Sequence, residues 1–77
     1  MSRPMEDQVK AAIRLILSDT KSYSTSLNYA VGYCRYALWM TGEDLRVQCL
    51  YILSNLARWR HPAAKEVRAT LKAFSQV

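Results

Sequence analysis

The stretch Leu38-Trp39-Met40-Thr41-Gly42-Glu43-Asp44-Leu45 holds the end of one helix and the start of the next within eight residues. Thr41-Gly42 is a stop signal, because glycine takes the left-handed conformation in which helices commonly terminate. Thr41 to Asp44 is also a near capping box, with Asp44 where a Glu is more usual, so a new helix begins almost where the last one ends. The two helices must form a tight hairpin. Upstream, Leu27, Ala30, Val31, Cys34 and Leu38 make one apolar stripe and predict a helix over about 26–41. Downstream, Leu45, Cys49, Ile52, Leu53, Leu56 and Trp59 share a face and predict a helix over about 43–60, broken at His61-Pro62 because proline disfavours helix in the residue before it.

Two outer helices complete the pattern. Met5, Val9, Ala12, Ile13 and Ile16 recur at helical spacing, Pro4 suits a first turn, and Glu6 and Asp7 favour its positive dipole end, giving a helix over about 4–18. Asp19 to Ser26 is polar, rich in capping residues and reads as the longest connector. Pro62 opens a last helix to about residue 75, with Ala64, Val67, Leu71 and Phe74 as its stripe. The expected fold is all-α, a small four-helix domain of antiparallel helical hairpins. Helices two to four form the core and helix one docks on it.

The registers agree with this arrangement. Cys34 lies eight residues before Gly42 and Cys49 seven after it, so antiparallel helices bring them level, and Phe74 reaches the same layer across the second hairpin. The two cysteines read as buried reduced thiols.

The whole chain is 77 residues, room for one domain only, with 51% hydrophobic and 22% charged residues. A domain this short buries only about 60% of its extended-chain surface, so self-association or a partner is expected. The formal charge of +5 and a pI near 9.6 favour anionic partners without proving one. The longest uncharged stretches, Ser22 to Cys34 and Val47 to Ala57, are 13 and 11 residues long, short of the ~18 that span a bilayer. Acids near the N-terminus stand where a secretion signal needs an apolar run, which argues for a cytoplasmic, reducing location. His61 is the single histidine and has no acid nearby in sequence, so no metal site is expected. Gly32 and Gly42 are isolated and make no phosphate loop, and no nucleophile motif occurs. Glu43 and Asp44 diverge by about 100° on a helix and read as dipole partners. No cofactor is implied, and the expectation is a protein without enzymatic activity.

Two surfaces remain once folding is satisfied. On helix two, Tyr29, Tyr33, Tyr36 and Met40 fall at roughly 180° to 240° from Leu27, opposite the core stripe, at about 100° per residue. That second apolar side must meet helix one, a second protomer in a homodimer, or a partner protein. Tyrosine and methionine are favoured at recognition surfaces, which makes these residues partner-binding candidates. Trp39 lies on a third side with Gly32 and Arg35, as a lid on the core or an anchor residue. The other surface is basic: Lys65, Arg68 and Lys72 cluster within about 60° on helix four, and Arg58, Arg60 and His61 approach the same end. With the amides of Ala63 and Ala64 at the helix start, these residues form a candidate anion site for nucleic acid or a nucleotide. Helix four begins with alanines rather than base-reading side chains, which favours phosphate contact over sequence reading.

The run Ala37-Leu-Trp-Met-Thr-Gly-Glu-Asp-Leu-Arg-Val-Gln-Cys-Leu-Tyr-Ile-Leu-Ser-Asn-Leu56, followed by Trp59-Arg60 and Ala64-Lys-Glu-Val-Arg-Ala-Thr-Leu-Lys72, resembles a group of short proteins encoded in tailed-phage and prophage genomes. The resemblance covers about residues 27–74, leaving residues 1–26 as a variable N-terminal helix and connector before the helical core of 27–77. It carries no catalytic residue across. It implies a phage protein that binds and disables a host protein or a defence system, CRISPR complexes and nucleotide-signalling pathways among them. The expected function is therefore that of an inhibitor acting by surface occupation in the bacterial cytoplasm, with a basic nucleic-acid-binding or nucleotide-binding module as the alternative.

Overall fold

The computed structural model describes residues 3–76, so residues 1, 2 and 77 of the expected domain lie outside the described residues. It is all-α: α1 (Glu6–Ser18), α2 (Ala30–Ala37), α3 (Gly42–Ser54) and α4 (Ala64–Ser75), with a 3-10 turn at Thr20–Ser22 and no strand among the described residues. Each helix packs chiefly on two others, α1 on α2 and α4, and α3 on α2 and α4. Tertiary hydrogen bonds give the directions. At one end the Gly42 amide donates to Glu6 Oε2 (2.8 Å), Arg46 Nη1 donates to the Ser75 carbonyl (3.1 Å) and Arg3 Nη2 to the Gln76 carbonyl (2.6 Å). The starts of α1 and α3 therefore meet the end of α4. At the other end Trp59 Nε1 donates to Asp19 Oδ2 (2.8 Å), bringing the end of α1 to the α3–α4 loop. Neighbouring helices run antiparallel.

The expected stripes supply the core. Val9, Ile13 and Ile16 of α1, Cys34 of α2, Leu45, Cys49 and Ile52 of α3, and Val67, Leu71 and Phe74 of α4 are buried, as are Leu27 before α2 and Leu56 and Trp59 after α3. α1 is a full member of this cluster rather than an addition to a three-helix core. Met5, expected on the core stripe, is instead exposed. Its amide donates to Gln8 Oε1 (2.8 Å), which satisfies a free N–H at the helix start.

Two helices are shorter than their apolar stripes. α2 is α-helical over eight residues, against about 26–41 expected. Residues 23–29 form consecutive turns in which Tyr23 Oη donates to the Leu17 carbonyl, while Trp39 and Met40 close with tighter bonds to Tyr36 and Ala37. α3 ends at Ser54 rather than near residue 60, because Asn55 turns back: its amide meets the Ile52 carbonyl (3.0 Å) and its side chain the Tyr51 carbonyl (2.9 Å). Leu56 and Trp59 stay buried on an irregular segment, their carbonyls both accepting from Arg68 Nη1 (3.2 and 3.1 Å). The capping box is not formed, for Thr41 makes no side-chain cap bond. Glu6 of α1 meets the Gly42 amide instead.

Gly42 takes a φ of 55°, the one positive φ among the described residues, and nothing lies within 4 Å of where a Cβ would stand. The demand for glycine is thus conformational, not steric. Gly42→Ala is expected to cost about 1 kcal/mol, with Gly42→Asn less damaging because Asn tolerates the left-handed region. Thermal melts should show the alanine variant lower by about 4–8 °C per kcal/mol in a domain of this size.

Cys34 and Cys49 are free and fully buried. Burial, with the neighbouring Cys49 thiol, pushes Cys34 up to about 12, and burial alone pushes Cys49 up to about 11. At pH 8 only about one thiol in a thousand or fewer is then the reactive thiolate. Native protein should react with a thiol reagent far more slowly than protein unfolded in guanidinium, and equal rates in the two states would contradict the packing.

Candidate functional site

α2 presents its core stripe inward and therefore turns Tyr29, Tyr33 and Tyr36 outward. α1 does not cover them. Tyr29 is 75% exposed, Tyr36 68%, Tyr33 39% and Trp39 88%, which also excludes Trp39 as a lid on the core. Met40 departs from this group: it is half-buried and packs on the core cluster. α3 extends the face with a residue missed in sequence, Tyr51 (51% exposed). The Tyr33 and Tyr51 rings stack at 5.6 Å between centroids with 19° between planes, joining the two helices across the surface. A signal for Tyr51 was present, since Tyr33 and Tyr51 stand nine residues either side of Gly42, the same symmetry that levels the cysteines.

The seam beneath this face is fixed by Gln48. Its side chain is buried and its Nε2 donates to the Tyr33 carbonyl (2.9 Å), tying α3 to the middle of α2. Such a bond holds the tyrosine backbone in place without using the rings. A shallow depression beside it is lined by Asn28, Tyr29, Gly32, Tyr33, Tyr36 and Asn55, where Gly32 leaves room between the tyrosines. No side chain lining it carries a charge.

The basic surface is arranged differently from its sequence reading. Arg58, Arg60, Lys65 and Lys72 are exposed, and a shallow cleft joins Arg60, His61, Lys65 and Arg68 beside Trp59. Several expected anion contacts are already used. The Ala63 amide donates to His61 Nδ1 (3.0 Å) and the Ala64 amide to the His61 carbonyl (2.9 Å), so neither is unpaired. Arg68 is half-buried and its guanidinium holds the Leu56 and Trp59 carbonyls, so it does not project freely beside Lys65. The His61 ring stacks on buried Trp59 at 5.2 Å. Asp19 accepts from Trp59 and from Ser22 Oγ (2.7 Å), and these hydrogen bonds, aided by the nearby His61 and Lys21, hold its carboxyl below the usual range despite opposing desolvation. This constellation fastens a loop.

Among the described residues no group of three or more His, Cys, Asp or Glu could hold a metal ion, and no helix is long and apolar enough to cross a membrane. Comparison with known proteins found no matching family model, no matching curated protein and no matching solved structure.

The different work of Arg68 and Lys65 is measurable. Arg68→Ala strands two part-buried carbonyls and should lower unfolding free energy by about 1–3 kcal/mol. Lys65→Ala, at an exposed position, should stay within about 0.5 kcal/mol of the parent. Urea titrations of the two variants test this, and equal stabilities would remove Arg68 from its role in holding the loop.

Proposed function

We propose that this chain is a non-enzymatic binding protein whose α2–α3 aromatic face occupies the surface of a protein partner and so blocks it. The supporting observation is the exposure of Tyr29, Tyr33, Tyr36, Trp39 and Tyr51 along the α2–α3 hairpin of a domain whose other large apolar side chains are mostly buried. Rigid aromatic rings supply contact area at small entropic cost, and tyrosine hydroxyls tolerate the wet rim of an interface. The resemblance of residues 27–74 to short tailed-phage proteins suggests the class of partner: a component of a bacterial host or of its defence machinery, met in the host cytoplasm.

Binding of nucleic acid or an anionic nucleotide through Arg58, Arg60, Lys65 and Lys72 is the second reading, supported by the exposure of those four cations. It is weakened by the engagement of Arg68, His61 and the first α4 amides within the fold. Phosphate contact by these side chains would give an affinity for generic duplex that falls with salt at a log-log slope of about −0.9 per phosphate neutralised.

One pair of variants separates the readings. Tyr36 and Trp39 are open to solvent, so Tyr36→Ala with Trp39→Ala should leave the helical circular dichroism unchanged and abolish capture of host protein from a bacterial lysate. Lys65→Glu with Lys72→Glu should leave capture intact. Capture insensitive to the aromatic changes, together with steeply salt-dependent nucleic-acid binding lost in the lysine variant, would overturn the proposal in favour of the basic surface.

A further inference from the structure

The aromatic face is large for a monomer of this size and has a composition that fits a copy of itself. Taking about 200 Å² as the area an aromatic side chain buries, the exposed fractions of Tyr29, Tyr33, Tyr36, Trp39 and Tyr51 come to about 600 Å². A standard stable interface needs about 800 Å² from each partner, which Gly32 and the adjoining Asn28 and Asn55 bring within reach.

Charge narrows the occupant. The chain carries +5 overall, yet Tyr29, Tyr33 and Tyr51 of this face come from its two longest uncharged stretches, residues 22–34 and 47–57, and Tyr36 and Trp39 add no charge. Of the charges at its border, the Arg35 guanidinium lies over the Tyr23 ring at 5.8 Å, and Asp44 is exposed two turns before Tyr51 on α3. The rings themselves offer a charged partner nothing to pair with, and a second copy would meet them without placing a charge among them. Hydrogen bonding points the same way, because tyrosine hydroxyls and asparagine amides both donate and accept, so a surface made of them is complementary to itself across a two-fold axis. Carboxylates or guanidinium groups would not be.

We propose that the free protein is a two-fold dimer joined through the α2–α3 aromatic face, with Tyr36 and Trp39 near its centre. The inference goes beyond the blocking function and does not require it. Where both hold, the target competes with the second copy for one surface, and the dimer is the resting form.

Sedimentation velocity and light scattering across a range of micromolar to millimolar protein test this on the full chain. The expected mass is twice 8.9 kDa at the upper concentrations. Raising salt should strengthen the dimer, since screening relieves repulsion between two +5 bodies while the interface itself holds no ion pair. Trp39→Glu should give a monomer with unchanged helical content. Tyr51→Glu, on the other helix, should do the same, so a folding failure in one variant leaves the other to decide. A monomer at every concentration, or a dimer that survives both glutamate variants, overturns the inference. A wild-type monomer whose lysate capture is lost in Trp39→Ala would overturn the dimer while sustaining the blocking function. A dimer accompanied by capture indifferent to Trp39→Ala would do the reverse.

Discussion

The hydrogen bond from Trp59 Nε1 to Asp19 Oδ2 is the fastening on which the rest of this small structure depends. A buried indole needs an acceptor, and an unpaired donor in that place would cost about 1–3 kcal/mol, a large part of the stability of any domain this short. Asp19 is the residue after α1, so the bond joins the end of the first helix to the loop between the last two. His61 stacks on the same indole, and Arg68 of α4 grips the Trp59 and Leu56 carbonyls. The end of α1, the α3–α4 loop and α4 are thus held together at one end of the bundle. The opposite end is closed more lightly, by Glu6 on the Gly42 amide and by Arg46 and Arg3 on the Ser75 and Gln76 carbonyls.

This way of closing the bundle consumes the groups that a binding site at the basic end would use. Arg68, His61 and the Ala63 and Ala64 amides are hydrogen-bonded within the fold, and what is left for an anion is a set of exposed, separate cations. Such cations are worth little individually in water. The α2–α3 seam is closed economically, by a Gln48 side chain to the Tyr33 carbonyl, by apolar packing and by the Tyr33–Tyr51 stack, and Tyr29 and Tyr36 stay exposed beside it. The aromatic face is therefore available for contact, while most of the charge lies on other parts of the molecule.

The four helices, their apolar stripes and their antiparallel order were legible in the chain because periodicity reports which side of a helix is inward, and because Gly42 and Pro62 mark reversals independently of context. The burial of Leu27, Cys34, Cys49, Leu56, Trp59, Leu71 and Phe74 follows from that pattern alone. So does the placement of Tyr29, Tyr33 and Tyr36 opposite that stripe, whereas it was the packing of α1 that left them uncovered. Helix length was not legible. An apolar stripe continues through Leu56 and Trp59 whether those residues are helical or merely anchored, and the choice fell to Asn55 and to an arginine twelve residues beyond Leu56.

Tertiary structure alone decided which polar groups are free. Local sequence suggested a Thr41 cap, unpaired amides at the start of α4 and an outward Arg68, and in each case a partner from elsewhere in the chain or a reversed histidine ring took the group instead. Helical periodicity assigns a side chain to a face, but hydrogen-bond satisfaction depends on what the opposing element brings within about 3 Å. The extension of the aromatic face onto α3 stands between the two, since symmetry about Gly42 levels Tyr51 with Tyr33 while their ring stack appears only in the packed hairpin. Inward and outward are properties of one helix, whereas free and engaged are properties of a pair.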